Sequence, residues 1–181
     1  MKYTGNNSSE YWDSSWSRNV KKFPKYTMNR VYGLIPEGKT VLDIGSGDGT
    51  FLIRLKEEKN CAVFGIDISP IAIERGRQKG VDGIAASAEE LDDFKAEFDI
   101  VICCHLLEHV GDDHGVVKNI CRLTKEFAII AVPNDCSYPE ETGEHVRKYT
   151  QESLKELITR HFYGGVENYT LKNHLIFKCL R

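Results

Sequence analysis

From Thr40 onward, short apolar, β-branched runs alternate with longer segments of helical periodicity. The runs that we predict to be strands are TVLDIG (40–45), AVFGIDI (62–68), GIAA (83–86), DIVICC (99–104) and FAIIAV (127–132). Continuous apolar runs are typical of strands that are buried on both faces, and strands that alternate with helices are typical of a parallel sheet. The pattern therefore predicts an α/β fold with a central sheet and helices on both faces.

Helix start and stop signals lie between these strands. Ser69 followed by Pro70 predicts a helix start, because serine caps free N–H groups and proline fits the first helical position, and Gly80 is suited to end that helix. After the first strand, the apolar side chains that would share one helical face are Phe51, Leu52 and Leu55.

The end of the chain has its own pattern. We expect a helix over 150–162 that begins at Thr150 and ends at the pair Gly164-Gly165. Two alternating runs around Lys172-Asn173 predict a closing antiparallel hairpin.

The first thirty-odd residues are polar and aromatic, which sets residues 1–36 apart from a main domain over 37–181. Their aromatic residues include Tyr3, Tyr11, Trp12, Trp16, Phe23 and Tyr26. Two interpretations stay open: a helix that packs its aromatics on the edge of the sheet, or a lid over an active site.

Composition excludes several classes of protein. The 181 residues suit a single domain, and 24 Lys plus Arg against 27 Asp plus Glu give a net charge of −3, without the basic excess of a nucleic-acid-binding protein. No apolar stretch approaches the roughly 18 residues of a membrane span, and no signal-peptide core is evident. The six cysteines have no CxxC spacing and are predicted to be free thiols. We therefore expect a cytoplasmic monomer or homodimer.

The segment VLDIGSGDGTF (41–51) carries the first candidate chemistry. Gly45, Gly47 and Gly49 lie in the turn after the first strand, where glycine lets a ligand approach backbone N–H groups. A dinucleotide fingerprint would require glycine at position 50, where this chain has Thr50. An acidic residue, Asp67, follows at the end of the second strand, where it is placed to bind a ribose diol.

With these motifs the chain resembles the class I S-adenosylmethionine-dependent methyltransferases, roughly over residues 37 to 181. VLDIGSGDG, FGIDIS, SAEEL, FDIVICCHLLEHV and AVPND occur in the family's order. The resemblance implies a Rossmann-like, seven-stranded, mostly parallel sheet whose last strand is antiparallel. It also implies S-adenosyl-L-methionine as cofactor and S-adenosyl-L-homocysteine as product.

The resemblance assigns roles to individual residues of the cofactor site. The glycine turn would pass under the methionine part, Asp43 would order this turn and reach the amino group, and Asp67 would hold both ribose hydroxyls. Ile68 would cover the adenine, and Ser87 replaces the acidic residue that often accepts from the adenine amino group. The full expected set is Asp43, Gly45, Ser46, Gly47, Gly49, Asp67, Ile68, Ser87, Ala88, Glu89 and Cys104.

The acceptor side is expected around the fourth strand and a long late loop. His105 is a candidate general base because the ordinary pKa of histidine suits proton removal near neutral pH, although it could equally only contact cofactor or pack. The segment HVRKYT resembles a motif that precedes the late helix in small-molecule branches of the family. Arg147 there would bind an anionic group, or else pair with Glu144 or Glu141. The catalytic candidates are His105 and His145, and the substrate-binding candidates are His109, Arg147, Tyr149, Tyr11 and Trp12.

The leading function is methyl transfer to an O or N atom of a small molecule, with the acceptor unidentified. One alternative is a metal-assisted RNA methyltransferase in which His105, Glu108, His109 and His145 hold the ion, the first three on one helical face. It lacks a matching acidic partner, so we expect no metal and consider nucleic acid an unlikely partner. The other alternative is a non-catalytic cofactor-binding module that regulates a partner enzyme.

Overall fold

The computed structural model describes residues 8–18, 25–134, 136 and 145–181. The helices of this part of the chain are α1 (Ser9–Ser17), α2 (Lys25–Leu34), α3 (Thr50–Lys59), α4 (Pro70–Gln78), α5 (Asp113–Leu123) and α6 (Gln151–Thr159). The strands are β1 (Thr40–Ile44), β2 (Ala62–Asp67), β3 (Asp82–Ala85), β4 (Phe98–Cys104), β5 (Thr124–Pro133), β6 (Val166–Asn168) and β7 (His174–Leu180). Tyr3 and Phe23 of the aromatic segment lie outside the described residues.

The strands form one seven-stranded sheet in the order β3-β2-β1-β4-β5-β7-β6. Neighbouring strands from β3 to β5 pair in parallel, whereas β7 pairs antiparallel with both β5 and β6. The predicted fold class, with its antiparallel last strand, is confirmed. The hairpin prediction is also confirmed, since Lys172-Asn173 lie between β6 and β7 within a bridge of Leu171 to His174.

Helices cover the sheet on both faces because its strands present apolar side chains on both. On one face the core is completed by buried residues of α5 and α6, among them Ile120 and Leu157. On the other face the core is completed by buried residues of α2 and α3. The α3 residues are Phe51, Leu52 and Leu55, the set that the sequence predicts to share one helical face. Within the described residues, no helix is long and apolar enough to cross a membrane.

The late helix is shorter than the sequence predicts. The structure ends α6 at Thr159, and the N–H groups of His161 and Phe162 both bond to the carbonyl oxygen of Ile158 at 3.0 Å, as in a closing turn. The prediction that this helix reaches Gly164-Gly165 is therefore wrong. Phe162 is buried although it lies outside the helix, so the apolar periodicity extends beyond the end of α6 into the closing turn.

The topology brings several turns to one edge of the sheet. Parallel strands end at the same edge, so residues after β1, β2, β4 and β5 gather there, and ligands of open α/β sheets bind at this edge. The antiparallel β7 begins there, since His174 pairs with Pro133 at the end of β5. We call this side of the sheet the carboxyl edge.

Candidate active site at the carboxyl edge

The glycine turn between β1 and α3 folds back onto β2. Gly45, Gly47 and Gly49 have φ values of 85°, 54° and 70°, a backbone region that side chains disfavour. The N–H groups of Gly45 and Ser46 both donate to the carbonyl oxygen of Ile66, at 2.7 and 3.0 Å. These two hydrogen bonds fix the turn against the neighbouring strand.

Asp67 connects this turn to the turn after β2. One carboxylate oxygen accepts the N–H of Gly47 at 2.8 Å, and the other accepts the N–H of Ser69 at 2.9 Å. A carboxylate has about four lone-pair sites, so each oxygen can accept a further hydrogen bond. Asp67 is therefore held in a defined orientation while it can still accept from a ligand.

Asp43 places a second carboxylate beside Asp67. Burial, and then the charge of Asp67, raise the pKa of Asp43 to about 7. Burial also raises the pKa of Asp67, and the charge of Asp13 raises it further. The two backbone hydrogen bonds to Asp67 lower this pKa but do not cancel the effect of burial. No cationic side chain of the described residues is among the groups that shift either pKa. The site is thus an electronegative one that favours a positively charged ligand.

Helix α1 is anchored next to these carboxylates. Asp13 accepts hydrogen bonds from the hydroxyl of Ser69 and, at 3.3 Å, from the N–H of Ile71 at the start of α4. Arg75 of α4 donates to the carbonyl oxygen of Trp16 at 2.8 Å. The predicted cap is also present, since Ser69 accepts from the N–H of Ala72. No sequence spacing indicated Asp13, because its partners lie more than fifty positions away in the chain.

The residues expected around the adenine differ in what they contact. The Ser87 hydroxyl accepts the N–H of Glu89 at 3.2 Å, and Ile68 is half-buried. Glu89 directs its carboxylate to the N–H of Asp112, at 2.7 Å, and so connects its turn to the start of α5. Ala88 and Cys104 are buried. Ser87 and Ile68 are thus the members of this group with exposed surface for a ligand, together with part of Glu89.

The segment after β4 is a turn, not a helix, so the expectation that residues 105, 108 and 109 share a helical face is wrong. His105 has a φ of 55°, and its N–H donates to the carbonyl oxygen of Ala131 at 2.8 Å, which fixes the end of β4 to β5. The turn nevertheless brings the three side chains together. The Glu108 carboxylate is 1% exposed, with one oxygen 3.4 Å from Nδ1 of His105 and 3.8 Å from Nε2 of His109.

Further rings surround this turn. The ring of His109 packs edge-on against those of His145, at 5.0 Å between centroids, and Trp12, at 5.1 Å. The ring of His105 lies 5.0 Å from that of His174. His105 and His145 thus each contact another histidine. The sequence analysis missed His174, although the predicted hairpin could have placed the start of the last strand at this edge.

Arg147 and Tyr149 are bound to α5. Arg147 pairs with Asp113 and donates to the carbonyl oxygen of Gly111 at 2.7 Å, so Asp113 takes the place expected for Glu144 or Glu141, which lie outside the described residues. The Tyr149 hydroxyl donates to Asp113 at 2.8 Å, and burial and this carboxylate raise the pKa of Tyr149. These contacts fix the 145–150 segment against the turn after β4. Tyr11, by contrast, lies beside Trp12 on α1 at 5.4 Å between rings.

Comparison with known proteins identifies the family. Residues 35–173 match the family model described as a methyltransferase domain. The chain therefore belongs to the methyltransferase-domain family, in the class I S-adenosylmethionine-dependent group that the motifs and sheet order predicted.

Among curated proteins, ubiquinone biosynthesis O-methyltransferase of Pseudomonas paraeruginosa (strain DSM 24068 / PA7) is 37% identical over 95 residues, 49% of this chain and 40% of that protein. The 27-O-demethylrifamycin SV methyltransferase of Amycolatopsis mediterranei (strain S699) is 28% identical over 143 residues, 74% of this chain and 52% of that protein. The chain thus spans about half, or less, of the length of these relatives.

Among solved structures, magnesium protoporphyrin IX methyltransferase of Synechocystis PCC 6803 with bound SAH superimposes with a TM-score of 0.73 at 16% identity, covering 96% of this chain and 97% of that one. A methyltransferase of Thermotoga maritima, described as a possible histamine N-methyltransferase, gives 0.69 at 20% identity and covers 84% and 86%. At these identities the likeness concerns the fold.

Proposed function

We propose that the protein transfers a methyl group from S-adenosyl-L-methionine to an oxygen or nitrogen atom of a small molecule. The observation that carries this proposal is the pair of neighbouring carboxylates beside the glycine turn, the buried Asp43 and the half-buried Asp67. S-adenosylmethionine bears a sulfonium and an ammonium group, which this negative site attracts. A dinucleotide would place two phosphate charges at the same position, where they would be repelled.

The donors and acceptors of the site fit this cofactor. Asp67 keeps acceptor capacity for two ribose hydroxyls, because the hydrogen bonds from Gly47 and Ser69 use one site on each oxygen. Asp43 lies at the end of β1 behind the glycine turn, where an ammonium group would offset its burial. Ser87 and Ile68 offer a hydroxyl and an apolar surface on the next turns of the same edge.

When bound, S-adenosylmethionine supplies an electrophilic methyl group whose bond to sulfur breaks as the acceptor atom attacks, with the electron pair returning to sulfur. The protein's part is to align the acceptor and exclude water, for which Trp12 and the buried turn after β4 are suited. A hydroxyl acceptor must also lose its proton. His105 is the candidate to receive it, because Nδ1 faces Glu108 and the buried Nε2 has no hydrogen-bond partner among the described residues.

The names of the curated relatives favour an oxygen acceptor on a small organic molecule, since one is an O-methyltransferase of ubiquinone biosynthesis and another methylates a demethylrifamycin. The identity of the acceptor, a cytoplasmic location and a monomer or homodimer remain predictions.

The proposal is tested by incubating the protein with S-adenosylmethionine and a panel of phenols, alcohols and amines, with mass spectrometry of both products. We expect S-adenosylhomocysteine to form only when an acceptor is present. His105→Ala should reduce turnover by about 10²- to 10⁴-fold while the affinity for S-adenosylhomocysteine is retained. Cofactor binding without turnover on any acceptor would support the regulatory alternative instead, and a protein that binds no S-adenosylhomocysteine would contradict the proposal.

A further inference from the structure

We propose that Glu108, His109 and His145 form a binding site for one divalent transition-metal ion. One ligand atom from each of the three side chains lies within 4.8 Å of the others. They come from two separate segments, the turn after β4 and the segment before α6, which a backbone hydrogen bond joins where the N–H of Val146 donates to the carbonyl oxygen of Glu108 at 2.8 Å. The cluster is therefore built into the fold at the carboxyl edge.

Glu108 provides the second observation that points to a ligand. Its carboxylate is 1% exposed, and among the described residues neither oxygen accepts a well-formed hydrogen bond, although His105 Nδ1 and His109 Nε2 lie 3.4 and 3.8 Å from one of them. A buried carboxylate without hydrogen bonds is costly, and a bound cation offsets that cost.

The donor set indicates the class of ion. Two imidazoles and one carboxylate suit zinc, manganese, iron or cobalt, whereas magnesium and calcium prefer sites made of oxygen ligands alone. The missing acidic partner, which argued against a metal in the sequence, is not required, because a catalytic metal site commonly has three protein ligands and a remaining position that holds water or substrate. The proposal therefore departs from the metal independence that the sequence led us to expect.

The distances require only a modest closure of the site. Ligand atoms around a tetrahedral ion lie about 3.3 Å apart, so separations of no more than 4.8 Å would have to shrink by at most about 1.5 Å. His109 Nε2 and a carboxylate oxygen of Glu108 are already 3.8 Å apart. The ring of Trp12 against His109 covers one side of the cluster with apolar surface.

A role for the ion rests on the proposed function. The open position would lie at the carboxyl edge, on the acceptor side of the methyl group, where an ion would bind an oxygen or nitrogen donor of the acceptor. An acceptor hydroxyl bound to the ion would lose its proton more readily.

The test measures metal binding alone, without turnover. Protein freed of metal by chelator dialysis is titrated with Zn²⁺ in competition with a chromogenic chelator, and with Co²⁺, whose visible absorption reports its coordination. We expect one equivalent to bind per chain. Glu108→Gln and His145→Ala should each weaken Zn²⁺ binding by about 100-fold or more. Co²⁺ should also quench tryptophan fluorescence, and this quenching should be weaker in Trp12→Phe, which keeps Trp16, while binding persists.

The matched control is the surface pair His114 and His161, whose ring nitrogens lie 3.5 Å apart outside this cluster. The double variant His114→Ala with His161→Ala should bind Zn²⁺ as the wild type does. The proposal would be overturned if binding disappears in this control or if it survives both Glu108→Gln and His145→Ala. It would also be overturned if binding never reaches one equivalent. Binding of S-adenosylhomocysteine by the metal-free protein and its variants reports separately on folding and on the proposed function.

Discussion

Asp67 is the residue through which the ribose would be held. Replacing it by alanine removes charge-assisted hydrogen bonds to both hydroxyls, so Asp67→Ala should weaken S-adenosylhomocysteine binding by about 1.5–3 kcal/mol in isothermal titration. Asp67→Asn, which keeps one acceptor oxygen, should lie between alanine and wild type. Asp93→Ala, at an exposed carboxylate away from the site, serves as the control. An affinity unchanged in Asp67→Ala would show that this carboxylate only holds the glycine turn.

Asp43 should make the stability of the ligand-free protein depend on pH. Its pKa is raised from 3.8 to about 7, so between these values the folded state binds more protons than the unfolded state. The free energy of unfolding should therefore fall as pH rises from about 4 to 7. Urea denaturation at pH 5 and pH 8 should show about 2–3 kcal/mol less stability from this residue at pH 8, a loss that Asp43→Asn lacks. If wild type and Asp43→Asn have the same pH profile, the carboxyl does not titrate in this range.

The same ionisation should affect cofactor binding. The ammonium group of S-adenosylhomocysteine favours the carboxylate form of Asp43, so ligand affinity should be about tenfold lower at pH 6 than at pH 8. Asp43→Asn should bind more weakly at pH 8 and lose the pH dependence. Equal affinities of the wild type at both values would contradict the assignment of Asp43 to the ammonium group.

At the scale of elements, α1 extends across the end of β1. It contacts α4, which follows β2, and its Trp12 contacts His109, which follows β4. Because β1 lies between β2 and β4 in the sheet, a helix that contacts both turns must pass over the carboxyl edge of β1, above the glycine turn. This position supports the lid interpretation of the N-terminal segment over packing at the outer edge of the sheet.

Asp13 should hold this helix in place. Asp13→Ala removes the acceptor for Ser69 and Ile71, at a cost of about 1–2 kcal/mol, so hydrogen exchange of the α1 amides should become faster than in the wild type. Asp92→Ala, an exposed carboxylate in a loop, should leave exchange in α1 unchanged. Unchanged exchange in Asp13→Ala would mean that the contacts of Trp12 and Arg75 alone hold the helix.

The elements differ in how far the sequence predicts them. The five parallel strands and the glycine turn could be predicted because each depends on local periodicity and on residues adjacent in the chain. The contacts of Asp13 with Ser69, of Arg147 with Asp113, and of His105 with His174 could not, because they join segments that only the folded sheet brings together. The turn after β4 was misjudged because its His-x-x-Glu-His spacing also suits a helix.

For the molecule as a whole, the ligand that stabilises the fold should be an adenosyl sulfonium or its product and not a dinucleotide. At a concentration about 100 times its dissociation constant, S-adenosylhomocysteine adds about 2.7 kcal/mol, which for a domain of this size raises Tm by roughly 5–10 °C. NAD at the same concentration should leave Tm unchanged in a thermal-shift assay. A shift with NAD and none with S-adenosylhomocysteine would contradict the charge argument.

The position of β7 has a consequence for how the protein is made. This strand comes after β6 in the chain, yet it lies between β5 and β6 in the sheet. While the ribosome is still synthesising residues before His174, β5 therefore exposes one full edge of unpaired backbone along an apolar strand, and β6 has no neighbour to join. Such an edge is a template for aggregation. The nascent chain thus has its greatest need of a chaperone just before the hairpin leaves the exit tunnel, when nearly all of the sheet has already been made.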